Sequence, residues 1–376
     1  MQTLDAASVR LLASADTWMD GEVIRQLYAA ANLECVREVI GFPDVHPGGA
    51  YPVGVAIVSE GVFYPQLIGG DIGCGIGLWK TDLHRRKSRV DRWAELRLDL
   101  EHPWEGEVQQ RLAEAGLEPN LFSSALGTIG GGNHFAEIQA VEKVYDSAAF
   151  EQLDLNRDEL LILVHSGSRG LGESVLAEYI GSNGGEPADA GSEAGREYIA
   201  GHEMAVRWAK ANRALIAERF AAGIGASASC ALDVAHNSIT ASESLGDLLW
   251  IHRKGAAAAD EGPLVIAGSR GTLSYLVAPT EKTTECGWSV AHGAGRKWTR
   301  SASRARVRER FRPEQLVQTE LGGRVVCEDR NLLYEEAPMA YKNIERVIRD
   351  LLEARLIRVI ASLRPLLTYK TRVSRR

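Results

Sequence analysis

No stretch of the chain approaches the ~20 consecutive apolar residues that a membrane-spanning helix needs. The first residues include Asp5 and Asp16, with no basic start running into an apolar segment. Neither a membrane span nor a secretory signal is therefore expected. Cysteine is scarce: five in 376 residues, odd in number, widely spaced and without a CxxC pair. That argues against a disulfide framework and suits a reducing compartment, so a cytoplasmic protein is expected. Walker phosphate loops and dinucleotide fingerprints are missing, as are internal repeats and low-complexity tracts. Positive charge is not in excess either: 43 Lys and Arg against 50 Asp and Glu leave −7, which argues against a broadly basic nucleic-acid binder.

What the chain has in abundance is glycine, 38 residues against a usual share of about 7%. The glycines gather at 69–77, 127–132, 167–172, 268–271 and 293–295, each group beside Asp, Cys, His, Asn or Arg. Glycine next to reactive side chains suggests backbone brought close to a ligand. Charge is also uneven. From Arg296 to Arg312 the chain carries Arg296, Lys297, Arg300, Arg304, Arg306, Arg308, Arg310 and Arg312 against Glu309, and the tail adds Lys370, Arg372, Arg375 and Arg376. Such runs suit phosphate contacts, although a solvated basic helix face looks the same in sequence.

Hydrophobic content of 45% and charged content of 25% are those of a globular protein. Residues 5–38 read as two short amphipathic helices, the second from Asp20 to Glu34. Val, Ile, Tyr and Phe broken by Gly and Pro predict strands and tight loops from Gly41 to Leu83. Residues 84–120 read as charged and helical, Glu159–Val164 as a buried strand, and 181–195 as a flexible loop. Helices are expected over about 196–222, 302–312 and 340–362. The glycine loops recur from residue 71 to residue 296, so one domain over 1–376 of α+β class is expected.

Several short segments carry candidate chemistry. Asp71 and Cys74 share a glycine loop and can face one metal ion. His134 follows three consecutive glycines, with Asn133 and Glu137 beside it. His165 leaves the end of a predicted buried strand in the run His165-Ser-Gly-Ser-Arg-Gly170. His236 stands in Asp233-Val-Ala-His-Asn237. Any one of these histidines alone reads as a satisfied structural residue. Together Asp71, Cys74, His134, His165 and His236 suffice for two metal ions sharing a thiolate. His292 precedes a small-residue turn ending at Arg296, where successive backbone N–H groups can hold a phosphate and a neutral imidazole can attack phosphorus. Residue spacing supports a metal- and phosphate-handling site without identifying the reaction.

These runs resemble the RtcB RNA ligases. The shared segments are Phe42-Pro-Asp-Val-His46, Gly70-Asp-Ile-Gly-Cys-Gly75, Gly127-Thr-Ile-Gly-Gly-Gly-Asn-His-Phe135, His165–Gly170, His236-Asn237, His252-Arg-Lys-Gly-Ala256, Gly268-Ser269 with Gly271-Thr272, His292–Arg296 and Ala340-Tyr-Lys342. The resemblance runs from about residue 41 to the C-terminus. It implies a fold whose glycine-rich strand-end loops converge on a dinuclear metal site. It also implies GTP- and Mn²⁺-dependent joining of RNA 3′-phosphate or 2′,3′-cyclic phosphate ends to 5′-hydroxyl ends, in RNA repair or tRNA processing. By the same resemblance, His292 takes the guanylate and Cys74 bridges two Mn²⁺ ions. One ion would be completed by His165 and His236, the other by Asp71 and His134. Asn133, Glu137, Ser269, Ser274, Ala294, Gly295, Arg296 and Lys370 would hold the nucleotide. Arg169, Asn237, Lys254 and Arg300 would grip the RNA 3′-phosphate. Thiolate and imidazole ligands favour Zn²⁺ by softness, so Mn²⁺ comes from the resemblance alone.

The chain also departs from the family pattern. Ala267 stands where proline is usual and Arg270 where methionine is usual. Lys254 to Ser269 is a short stretch, and Lys370 is followed by a basic tail. This is similar to the compact bacterial branch, often found with a release-factor-like protein. A metal-dependent RNA-end phosphoesterase and a non-catalytic RNA-binding homologue are the competing readings. An intact His292 argues against both.

Overall fold

The computed structural model describes residues 7–244 and 247–373; Arg375 and Arg376 of the basic tail lie outside the described residues. The architecture is α+β, with two principal sheets. The larger orders its strands Leu264–Ile266, Ser274–Pro279, Ile357–Thr371, Phe135–Val144, Glu159–Ser166, Gly75–His84 and Ala228–Ala235, with Arg324–Cys327 paired alongside Ile357–Thr371. The smaller orders Ser8–Leu11, Val36–His46, Val53–Glu60, Asp247–Lys254 and Asn237–Ser244. Strands Ala228–Ala235 and Asn237–Ser244 are separated by His236 alone, so that histidine stands where the chain passes from one sheet to the other.

The large sheet is antiparallel over its middle, and this sets the site. Gly75 pairs with both Ser166 and Ala235, and Phe135 pairs with His165. Strands Gly75–His84 and Phe135–Val144 therefore begin at the edge where Glu159–Ser166 and Ala228–Ala235 end. The loops carrying Cys74, His134, His165 and His236 all open on that edge. Strand Glu159–Ser166 is buried from Leu160 onward: Leu160, Ile162 and Val164 pack with Ile216 and Phe220 of a long helix, and Leu161 and Leu163 pack with Val265, Leu276 and Leu363.

Helix Glu193–Ile224 packs on this sheet. Its Ser192 cap accepts from the Gly195 N–H, and Gly225, at φ 79°, closes it in the left-handed conformation. Its inward stripe includes Tyr198, His202, Ala205, Ala209, Asn212, Ile216 and Phe220, the spacing of one helical face. Burying Ile216 and Phe220 contributes about 1.5–3 kcal/mol each by area. Asn212 and Arg213 interrupt the apolar stripe, and both serve the site.

Four expectations need correction. Residues 8–11 form a strand paired parallel with Val36–His46, leaving Gly21–Ala31 as the only helix described there. A four-residue segment is too short for periodicity to separate helix from strand. Residues 84–120 are mostly turns, with short helices at Val90–Glu95 and Val108–Glu114. In the loop expected at 181–195, helix Gly170–Asn183 reaches in from one side and Glu193–Ile224 from the other, and Ala188–Asp189 pairs with Val62–Phe63. The helix expected over 340–362 runs only from Ile344 to Glu353. Arg355 adopts φ 59°, and Ile357–Thr371 is a central strand of the large sheet. Its apolar residues suited either state, and pairing on both sides decided for the sheet.

Candidate active site

At the sheet edge the expected ligands meet. Cys74 Sγ lies 3.4 Å from His134 Nε2 and 3.2 Å from His165 Nε2. His165 Nε2 lies 3.2 Å from His236 Nε2, and His134 Nε2 lies 3.1 Å from Asp71 Oδ2. Two clusters form, Cys74–His165–His236 and Asp71–Cys74–His134, the donor atoms of each within 4.8 Å of one another. Cys74 belongs to both.

The donor set fits a cation. His134 Nδ1 lies 3.0 Å from Ile129 O, so its proton is used there and the Nε2 lone pair faces the cluster. Burial, and then the neighbouring imidazoles, hold His165 and His236 well below the ordinary histidine range. Both are thus neutral ligands at neutral pH. Burial pushes the Cys74 thiol well up, and Asp71 adds to this. A divalent cation would reverse that pressure, because a coordinated thiol is deprotonated. Desolvation works most strongly against a charged Asp71, but His134, Cys74 and His165 together outweigh it and bring the carboxyl down to about 2.

Two braces hold the loops. Arg213 is fully buried; its Nη1 donates to Gly73 O at 2.7 Å and Ser166 O at 2.8 Å, and its Nε donates to Asp233 Oδ1 at 2.8 Å. One guanidinium thus joins the Cys74 loop, the His165 loop and the strand leading to His236. Asn212 accepts from Gly127 N at 2.7 Å and donates to Gly167 O at 3.2 Å. The Gly130–Gly132 segment is explained by close approach. Gly130 and Gly132 have φ of 90° and 69°, and a Cβ there would stand 2.0 Å from Arg169 Nη1 and 2.7 Å from Arg300 Nη2 respectively.

His292 reaches the same place from the small sheet's side. Its ring centroid is 4.6 Å from that of His236. Its Nδ1 lies 2.8 Å from Oδ2 of the fully buried Asp44, and that oxygen also accepts the backbone N–H groups of His292 (3.2 Å) and Gly293 (3.3 Å). A carboxylate at Nδ1 favours the proton there and leaves the Nε2 lone pair free. Lys342 Nζ donates to Pro43 O at 3.0 Å and Val45 O at 2.6 Å, holding the strand on both sides of Asp44. Sequence reasoning gave no role to Asp44, Lys342, Asn212 or Arg213. The shared runs around Asp44 and Lys342 were a signal; the two helix residues carried none.

A cavity of roughly 280 Å³, at the lower edge of ordinary ligand pockets, opens beside His292. Asn133, Glu137, Ser269, Ala294, Gly295, Arg296 and Lys370 line it, together with Asn237, Lys254 and Arg300. Glu137 is buried, which raises its carboxyl to about 7 against the opposing effects of Thr368 and Lys370. Lys370 Nζ is buried 3.8 Å from Glu336. Several expected ligands already have partners. Ser274 does not reach the cavity wall, and its Oγ accepts the Gly268 N–H at 3.1 Å. Arg296 donates to Glu336 Oε1 and Glu335 O, both at 2.8 Å. Asn237 links Asp71 O (3.1 Å) to the Gly255 N–H (2.8 Å). Arg169 is not in the lining and has its Nε 3.4 Å from Thr128 Oγ1. His202 and His252 accept the N–H groups of Ile239 and Tyr64 at 2.9 and 2.8 Å, as core histidines do.

The family model described as tRNA-splicing ligase RtcB matches residues 26–120 and 118–371. RNA-splicing ligase RtcB2 of Escherichia coli is 43% identical over 365 residues, covering 96% of each chain. The tRNA-splicing ligase RtcB of Thermococcus kodakarensis is 30% identical, covering 91% of this chain and 90% of its own. RNA-splicing ligase RtcB of Mycobacterium tuberculosis is 28% identical, covering 88% and 96%.

Proposed function

The chain belongs to the RtcB family of RNA-splicing ligases, and we propose that it joins RNA 3′-phosphate ends to 5′-hydroxyl ends through guanylate carried on His292. The observation that carries this is the double setting of His292, with Asp44 2.8 Å from Nδ1 and the His236 ring 4.6 Å away on the cluster side. In this reading Nε2 attacks the α-phosphorus of GTP, the N–P bond forming as the bond to pyrophosphate breaks. The guanylate then passes to an oxygen of the RNA 3′-phosphate, freeing the imidazole. The 5′-hydroxyl oxygen attacks that 3′-phosphorus and GMP leaves. Attaching guanylate turns an unreactive phosphomonoester oxygen into a good leaving group.

Cys74, His165 and His236 would hold one divalent cation, and Asp71, Cys74 and His134 the other; Mn²⁺ is the proposed ion. Bound there, the cations supply charge neutralisation to phosphate oxygens. The chain's own groups do the remaining work. Asp44 orients the nucleophile, Glu137 and Lys370 frame the base end of the cavity, and Arg300 and Lys254 present positive charge towards the RNA phosphate. A substrate end shared among loops of both sheets also supports reading 1–376 as one ligase domain. The reduced Cys74 that this site needs supports a reducing, cytoplasmic compartment.

Incubation with α-labelled GTP and Mn²⁺ tests the proposal. An acid-labile protein adduct is expected from the wild type and none from His292→Ala at unchanged metal content. A labelled His292→Ala adduct would overturn the assignment.

A further inference from the structure

Arg270 belongs to the tight turn between strands Leu264–Ile266 and Ser274–Pro279. There Ser269 N donates to Thr272 Oγ1 at 2.8 Å and Thr272 N to Ser269 O at 3.0 Å. The turn is tied to the nucleophile's loop, since Ala267 N donates to His292 O at 3.2 Å and Ala294 N to Ala267 O at 2.9 Å. The Arg270 side chain is only 6% exposed, and it lines the cavity beside His292. Its Nη2 donates to Leu333 O at 2.9 Å. Nε and Nη1 are buried and find no acceptor among the described residues. A guanidinium has donors only, and leaving two of its buried sites unmet is costly. Nε and Nη1 flank Nη2, which keeps a second proton, so whichever Nη2 proton meets Leu333 one neighbouring pair of N–H groups stays unused in the cavity wall.

The surrounding charges say what would meet them. The acids Glu137 and Glu336 share this wall with the bases Arg270 and Lys370. Two carboxylates so close disfavour a phosphate, and the phosphate-handling turn lies elsewhere, at His292–Arg296. Phe135 and Tyr341 add flat apolar rings to the lining. A planar, neutral ligand with two adjacent acceptors on one edge and donors on another matches this wall. Guanine has that pattern: O6 and N7 accept side by side, and the neighbouring edge donates. Adenine keeps N7 but presents an amino donor in place of O6, which would face the Arg270 donors.

We propose that Arg270 is a specificity-determining residue of the base pocket, donating two neighbouring N–H groups, Nη2–H with either Nε–H or Nη1–H, to O6 and N7 of a guanine whose N–H donors meet Glu137. This rests on the guanylylation reading above. A planar fork is what such a paired contact needs, and neither methionine nor lysine provides one.

The test couples a change in the protein to a change in the base. Binding of GTP, 7-deaza-GTP (which lacks the N7 acceptor) and ATP is measured with Mn²⁺ on full-length His292→Ala, where no covalent step follows. It is repeated on His292→Ala carrying Arg270→Met or Arg270→Lys. In the parent, 7-deaza-GTP is expected to bind on the order of tenfold more weakly than GTP. In both Arg270 variants that ratio should fall to about one, and the preference for GTP over ATP should shrink. A residue that only ties the turn to Leu333 would weaken all three nucleotides equally and leave the ratios intact, which overturns the proposal. So does a parent that binds GTP and 7-deaza-GTP alike, whether or not either variant folds. The ligase reading fails separately, if the wild-type chain neither binds GTP nor forms the adduct.

Discussion

The carboxylate of Asp44, with no exposed surface, stands 2.8 Å from the Nδ1 of His292, and the two residues are 248 positions apart in the sequence. The carboxylate is itself held in place by the two backbone N–H groups at His292 and Gly293, so the imidazole and its orienting group form one unit. Asp44→Asn keeps the shape and removes the charge that favours Nδ1–H. The rate of adduct formation should fall by roughly 10²–10⁴, as orienting carboxylates do in other imidazole-dependent sites. Bound metal and melting temperature should stay near wild type. Single-turnover labelling with GTP checks this; an unchanged rate would remove Asp44 from the mechanism.

Cys74 belongs to both donor clusters, whereas Asp71 and His165 each belong to one. Cys74→Ala should therefore lose more bound metal than Asp71→Ala or His165→Ala, since second ligands cannot compensate at two sites together. Elemental analysis of the purified variants decides it. Equal metal content in Cys74→Ala and wild type refutes the shared thiolate.

Burial raises the Glu137 carboxyl to about 7. Ionised, it accepts N–H donors from a base; protonated, it loses an acceptor. GTP affinity should rise by about tenfold between pH 6 and pH 8, following the ionised fraction of a group titrating near 7. The sign for stability is the reverse. A carboxyl with a raised folded pKa holds its proton longer in the folded state, so its contribution favours folding less as pH climbs from the unfolded value towards 7. Glu137→Gln should flatten both dependences, and a wild-type affinity flat across this range would count against the contact.

Arg169 and Arg300 lean into the space that side chains on Gly130 and Gly132 would take. Replacing either arginine with alanine should spare guanylylation, which uses no RNA, and block transfer to the RNA end. Gly132→Ala should act like Arg300→Ala, because a Cβ there displaces the guanidinium. Further along helix Arg300–Arg310, Arg304 pairs with Glu335 at 3.4 Å and Arg306 lies over the Trp298 ring. The arginines left for RNA are then Arg308, Arg310 and Arg312. Changing these three to glutamine should lower the salt slope of RNA binding by roughly one for each phosphate they no longer neutralise. Superimposable slopes would mean that RNA runs elsewhere.

The candidate residues were legible in the sequence: Asp71, Cys74, His134, His165 and His292 stand close to glycine and His236 beside Asn237, and the fold brings them together. Strand Glu159–Ser166 and helix Glu193–Ile224 could also be read, because long periodic or uniformly apolar segments admit few alternatives. Ile357–Thr371 could not. Its apolar residues suit a helix or a strand, and only the neighbours Ser274–Pro279 and Phe135–Val144 select one. Asp44 and Arg213 belong to the same class of late decisions. A lone aspartate before a valine, or an arginine in an alanine-rich helix, looks like any solvated charge. What sets one against His292 and makes the other a tie across three loops is burial among partners up to 249 residues away. Propensity and spacing act over a few residues, whereas the pairing of buried charges is settled only when the sheets have brought distant segments together.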